Sequence, residues 1–276
     1  MTAADIAVLG DSFVEDMTVP WPRLMTSVLA QLEGRTIANF GQSGYGTQQE
    51  FIVLKRYALP LGPRTVVWMF HEGNDLEDVE QYDRAVHHPP NFLEGFYGRS
   101  FTRNALARVY HLSKPPGLKA SAVVQAPGGE LNVFCFDRQS AFSAVQLTPS
   151  HLNDIARAAQ ILRAAYDLCA AHGIRMVVAF VPTAFRAAKP FCRFPSGSDC
   201  RDWKLNDLPD RVREATASAS KEIGYLDLTP ALSEAVARGI LPYYRDDAHW
   251  TENGHRIAAN AIHQYLSSIG QPPSKN

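Results

Sequence analysis

The chain has 276 residues, 46% hydrophobic and 20% charged, enough for one large α/β domain or two small ones. Lys and Arg number 27 against 28 Asp and Glu, so the net charge of −1 gives no field that would favour nucleic acid or an anionic membrane. No apolar run approaches the roughly 18 residues that cross a bilayer, and the first one, about five residues long, is too short for a signal-peptide core.

In chain order, the first β-like run is "IAVLG" (6–10), which stops abruptly at Gly10-Asp11-Ser12. Residues 20–33 follow with Leu24, Val28, Leu29 and Leu32 at helical spacing. "TIANFG" (36–41) predicts a second strand and leads into "GQSGYGT". A helix is expected over 47–59, then a third strand over "TVVWMF" (65–70), followed by "HEGNDL". Residues 78–149 read as an excursion with Pro89-Pro90, Pro115-Pro116-Gly117 and Pro127-Gly128-Gly129, the last turning a hairpin between "SAVVQ" and "ELNVFCF". A structureless stretch of that length is unusual, so it is expected to form a cap or subdomain. Within it, residues 84–119 hold six Lys/Arg against one Glu, a modest basic patch that reads first as a solvated face. The pair His87-His88 reads as a turn before Pro89-Pro90, not a metal site.

A long helix is predicted over 150–172, with Leu152, Ile155, Ala159, Leu162, Tyr166 and Cys169 on one face and Gly173 closing it. Strands follow at "RMVVAFV" (175–181) and "GYLDLT" (224–229), and a last helix starts at the N-cap Thr251. Near-continuous apolar strands alternating with helices predict a parallel sheet buried on both faces. The expected fold is a single α/β domain over 1–276, a three-layer α/β/α sandwich with about five parallel strands and the 78–149 cap inserted between strands 3 and 4.

Cys169 and Cys135 read as core residues, whereas Cys192 and Cys200 bracket the polar loop "RFPSGSD". A disulfide closing that loop is expected, and it favours an extracytoplasmic compartment, with any export segment lying outside this sequence. There is no Cys/His ladder with zinc spacing, and no metal or other cofactor is expected.

Ligands of open α/β sheets bind beyond the C-terminal strand ends. The polar residues fall there: Ser12 after the first strand, Gly44 after the second, Asn74-Asp75 after the third, and Asp246, Asp247 and His249 before the last helix. Each supplies a part of one mechanism. A serine hydroxyl needs a base, which His249 can be. The base needs a carboxylate to fix its tautomer, which Asp246 or Asp247 can be. The tetrahedral intermediate needs donors, which the backbone N–H groups of Ser12 and Gly44 and the Asn74 amide can supply.

These blocks, "LGDSF", "NFGQSGYG", "HEGNDL" and "DDAHW", resemble those of the SGNH (GDSL-type) hydrolase superfamily. The resemblance implies a flavodoxin-like fold, Ser12 as nucleophile, His249 as base, and Ser12, Gly44 and Asn74 as oxyanion donors. Its Asp-x-x-His spacing selects Asp246 as triad acid. "DAHW" also looks like the Asp-x-His-Trp of alginate O-acetyltransferase-like members, which selects Asp247 as the alternative. Glu72 departs from the family, which usually has glycine two residues before the asparagine; a change of local geometry, not of function, is expected. "FVPTAFR", "YLDLTPAL" and "LPYYRDDAHWTENGHRIAA" look like bacterial members linked to cell-surface polysaccharide. The implied function is a serine esterase removing acetyl or another short acyl group from a small-molecule or glycan ester. An O-acyltransferase using the same acyl-enzyme is the main alternative, ahead of a lipase or thioesterase and of a carbohydrate-binding domain with an inert triad. Neither a nucleic-acid partner nor an oligomeric state is indicated.

Overall fold

The computed structural model of the chain describes residues 3–16, 18–76, 119–126, 129–137, 141, 143–245 and 247–270. Strand β1 (Ile6–Gly10) enters helix α1 (Ser12–Glu15), and α2 (Met25–Glu33) precedes β2 (Ile37–Gly41). Helix α3 (Thr47–Val53) precedes β3 (Thr65–His71). After the hairpin strands β4 (Lys119–Ala126) and β5 (Gly129–Asp137) come α4 (Pro149–Ala171), β6 (Arg175–Val181), α5 (Ala184–Ala188) and β7 (Cys192–Arg193). The chain continues through α6 (Leu208–Ala219), β8 (Gly224–Asp227), α7 (Thr229–Ala237) and α8 (Glu252–Ser268).

Five strands form the parallel sheet expected from the sequence, in the order β2-β1-β3-β6-β8. Alternate side chains of β1 leave opposite faces: Ile6 and Val8 join one apolar cluster, Ala7 and Leu9 the other. The first cluster is closed by Leu29 of α2, Leu232 of α7 and Ile262 of α8, the second by Leu162 of α4 and Val212 of α6. β1 and β3 are buried at every position, which is why neither shows a polar alternation in the sequence. The strand order reverses at β1, and in such sheets the reversal opens a crevice past the strand's C-terminal end. Ser12 stands there.

The helix expected over 47–59 is α-helical only to Val53. It widens to a π-turn over Leu54–Ala58 and tightens to a 3-10 turn at Leu59–Leu61, where Pro60 lacks the donor to continue. Thr251 caps α8 by accepting from the Gly254 N–H, and Gly173 follows α4 with φ +64°. Helices α6 and α7 were not singled out by sequence periodicity; each carries a proline in its first turn.

β4 and β5 pair antiparallel, as the hairpin reading expects, and β7 adds to β4 through Val123 and Val124 to make a second, three-stranded sheet. The Pro127-Gly128 turn, His87-His88 and all of the basic patch except the backbone of Lys119 lie outside the described residues, as does the Cys135 side chain. The expected Cys192–Cys200 disulfide is not formed. Cys192 opens β7 on the Val124 edge, Cys200 is buried in a 3-10 turn, and both side chains pack as apolar groups in the first core cluster. Burial pushes the Cys192 thiol up to about 12. Cys169 is fully buried in the second cluster, as its helical position predicts.

Candidate active site

The glycines around Ser12 are set by the approach of α1 to the sheet. A side chain at Gly10 would begin 2.5 Å from Val14 Cγ2, and one at Gly41 would begin 2.1 Å from the Glu15 backbone nitrogen. α1 can fold over the ends of β1 and β2 only because both positions lack a Cβ. Asp11 starts α1 by accepting from the Phe13 N–H at 2.9 Å, leaving Ser12 as the first helical residue. The strand therefore ends in Gly-Asp-Ser for three separate reasons: clearance, capping and presentation of the hydroxyl.

His249 Nε2 lies 2.8 Å from Ser12 Oγ. On the other side of the ring, Nδ1 is 2.5 Å from Asp247 Oδ1, which also accepts from the His249 backbone N–H at 2.8 Å. A carboxylate at Nδ1 requires a proton there, so the lone pair of Nε2 faces the serine. Burial pushes the Asp247 carboxyl up, but hydrogen bonds from the His249 backbone and ring outweigh it and hold the group below its ordinary value. Asp246, the choice of the Asp-x-x-His spacing, lies outside the described residues; the carboxylate on the imidazole is Asp247.

Packing holds the base in place. The Phe13 ring lies 5.3 Å from the His249 ring and 5.1 Å from Trp250, and the Tyr244 N–H donates to the His249 carbonyl at 3.0 Å. Phe13, one residue after Ser12, thus packs against His249 from the far end of the sequence.

Gly44 adopts φ +76° in the turn after β2, a conformation that favours glycine. That turn is tied to β1 and to α1: the Gln42 N–H donates to the Gly10 carbonyl at 3.0 Å, and the Ser43 N–H to Glu15 at 2.6 Å. Asn74 follows β3, and its Oδ1 lies 2.5 Å from His71 Nδ1. The three segments carrying Ser12, Gly44 and Asn74 leave adjacent strands of the sheet. Such an arrangement can generate an alkoxide at Ser12 and offer two backbone amides and a side-chain amide to a developing oxyanion.

Three features around the site were not found by sequence reasoning. His71 sits between Asn74 and the buried Asp11, 3.3 Å from its Oδ2. Glu72 forms a buried ion pair with Arg186 at 2.5 Å and accepts from Thr183 N–H at 2.8 Å. His255 and Asp16, both buried, are joined at 2.7 Å. Only the last had a local signal, a histidine on the buried face of an amphipathic helix; the other partners are assembled by the fold. Among the described residues no cluster of three or more His, Cys, Asp or Glu could hold a metal ion, and no helix is long and apolar enough to cross a membrane.

Residues 142–274 match the family model described as the SGNH hydrolase-like domain of the acetyltransferase AlgX. A curated relative, the probable alginate O-acetylase AlgJ of Pseudomonas putida, is 28% identical over 107 residues, which is 39% of this chain. The match spans about a quarter of that relative's length (26%). Among solved structures, a catalytic mutant of Axe2, an acetylxylan esterase from Geobacillus stearothermophilus, covers 100% of this chain and 99% of its own with a TM-score of 0.50 at 13% identity. A lipolytic protein of the G-D-S-L family from Desulfitobacterium hafniense covers 95% and 98% with a TM-score of 0.50 at 12% identity. The four sequence blocks thus gather at one end of a fold that the chain shares with these structures, and residues 142–274 are similar to the SGNH hydrolase-like domain.

Proposed function

We propose that the protein is a serine acyl hydrolase or acyltransferase whose substrate is an acetyl or other short acyl ester of a carbohydrate. The observation that carries this is the continuous relay from Asp247 through His249 to Ser12, at 2.5 and 2.8 Å. In this reading His249 takes the Ser12 proton as Oγ attacks the ester carbonyl, and Asp247 stabilises the imidazolium. The intermediate's oxyanion accepts hydrogen bonds from the Ser12 and Gly44 N–H groups and the Asn74 amide. Collapse expels the alcohol, which receives the proton from His249 and leaves an acyl-enzyme. Water activated by His249 then releases the acid, or a sugar hydroxyl activated in the same way captures the acyl group.

The carbohydrate is supported by the relatives, a probable alginate O-acetylase and an acetylxylan esterase. The transfer branch is favoured by the family model, described as that of an acetyltransferase. The cap expected over residues 78–149, which would hold an acceptor and exclude water, lies for the most part outside the described residues. A polysaccharide substrate places the reaction outside the cytoplasm; with no Cys192–Cys200 bridge, that placement rests on the glycan alone.

The test is release of p-nitrophenol from its acetate by the wild type and by Ser12→Ala, with and without an added oligosaccharide acceptor. Loss on the order of 10⁴- to 10⁶-fold in the variant is expected for removal of a triad nucleophile. Appearance of acetylated sugar would select the transfer branch. Equal rates for the two proteins would refute the assignment of Ser12.

A further inference from the structure

Glu15 is a carboxylate that the relay does not use. It is the last residue of α1, one helical turn past Ser12, and is half-buried. Its side chain reaches the turn after β2. A single oxygen, Oε2, accepts both donors of Ser43, the backbone N–H at 2.6 Å and the side-chain hydroxyl.

The turn it grips is tight. The Tyr45 N–H donates to the Gln42 carbonyl at 3.1 Å, so Ser43 and Gly44 are the two central residues. Gly44 has φ +76°, as the third residue of a type II turn does. The sign matters, because the central peptide of a type II turn is flipped over relative to that of type I. The Gly44 N–H belongs to that peptide, so the conformation of the turn sets the direction in which it points. Among the described residues no group accepts from this N–H. Gln42, Ser43 and Gly44 are all exposed, so packing does not choose between the two orientations. A glycine permits the positive φ but does not enforce it. The side chain that takes hold of a central residue is Glu15, and a charged acceptor holds its donors more strongly than a neutral one.

From this we infer that Glu15 is a positioning residue for the oxyanion hole: by holding Ser43 it keeps the Ser43–Gly44 peptide flipped so that the Gly44 N–H is presented to the acyl oxygen. The inference rests on the reading of Gly44 as an oxyanion donor. It gives α1 a second task. The first residue of this short helix attacks the ester, and the last fixes a donor for the charge that results.

The experiment compares Glu15→Ala, Glu15→Gln and Glu15→Asp in the wild-type background and Glu15→Ala in a Gly44→Ala background. A Cβ at Gly44 would meet nothing within 4 Å, so that background perturbs the turn through φ alone. The readouts are kcat and KM for an acetyl ester, the rate at which a fluorophosphonate labels Ser12, and thermal melting. Glu15→Ala should lower kcat and labelling about 10- to 100-fold, up to the scale of one lost oxyanion donor, with KM and melting little changed. In the Gly44→Ala background it should cost nothing further, because its effect passes through that peptide. Glu15→Gln keeps an acceptor oxygen at the same reach and should stay within about five-fold of wild type. Glu15→Asp keeps the charge but draws it back by one methylene, and should behave like Glu15→Ala. An equal loss in both backgrounds, a fully active Glu15→Ala, or equal activities of the Gln and Asp variants would overturn the inference. The last comparison stands even if the alanine variant does not fold. A fully active Gly44→Ala would instead refute Gly44 as a donor, a failure distinct from a silent Glu15.

Discussion

Two histidines on the same C-terminal stretch of chain, His249 and His255, each meet an aspartate and do different things. His249 and Asp247 meet at the rim with side chains 30% and 48% exposed, while His255 and Asp16 are sealed at 1% each. The carboxylate is on Nδ1 in the first pair and on Nε2 in the second. What remains decides the role. The second nitrogen of His249 faces the Ser12 hydroxyl at 2.8 Å, whereas that of His255 accepts the Met25 backbone N–H at 3.1 Å. One ring keeps a lone pair for a reacting proton. The other has committed both nitrogens and ties the end of α1 to the starts of α2 and α8. Residue type and pairing are therefore poor guides to catalysis here; the partner of the distal nitrogen is the informative contact.

Asp247→Asn breaks the rim pair and should have the largest effect. The amide no longer fixes Nδ1–H or stabilises imidazolium, and kcat should fall on the order of 10²- to 10⁴-fold with the melting temperature nearly unchanged. Stopped assays on the purified variant check this, and near-wild-type turnover would return the acid role to Asp246. His255→Leu should do the reverse. It leaves the Asp16 carboxylate buried without its ring partner, a loss of about 3–5 kcal/mol by the usual cost of breaking a buried pair. At roughly 2–4 °C per kcal/mol for a chain of this size, the midpoint should drop by about 6–20 °C, while turnover of the folded fraction stays within a few-fold. A large loss of kcat without destabilisation would erase the distinction between the pairs.

The same distinction explains which parts of the molecule were readable in the sequence. The three central strands were legible because both faces of each are covered, so an apolar run suffices to mark them, and the half-buried edge strands β2 and β8 keep enough apolar residues to follow suit. Ser12, Gly44 and Asn74 stood out because they follow strand ends, and His249 because it precedes the last helix at the same rim. The choice between Asp246 and Asp247 was not, since two adjacent carboxylates fit two spacings and only contact with Nδ1 separates them. Glu72 stood out in the sequence as a departure from the usual glycine, but its partner did not: its carboxylate meets Arg186, which in turn donates to the Asn206 carbonyl at 3.0 Å. No local pattern links positions so distant in sequence. The disulfide failed for a related reason. A polar loop between two cysteines describes the loop, whereas the thiols themselves belong to the core beneath it.

The smallest effect, and the one that compares the two carboxylates most directly, is the acid dependence of stability. Burial pushes the Asp16 carboxyl up, but the hydrogen bond from His255 and two from Thr18, at 2.7 and 2.6 Å, outweigh it and lower its pKa. A group lowered in the folded state contributes stability that is complete above its unfolded pKa, about 3.9, and is lost as the pH falls through the folded value. Melting curves from pH 6 to 3 should therefore show wild type above Asp16→Asn near neutrality, with the gap narrowing below about pH 4 as the wild-type carboxyl takes up its proton. Asp247 is also lowered, yet half of its side chain meets water, and exposed ion pairs contribute little to folding. Asp247→Asn should thus track wild type through the whole range. A constant gap for Asp16→Asn would mean that this carboxylate does not gain its proton across the acid range. A narrowing gap for Asp247→Asn would mean that the rim pair, like the buried one, helps hold the fold together.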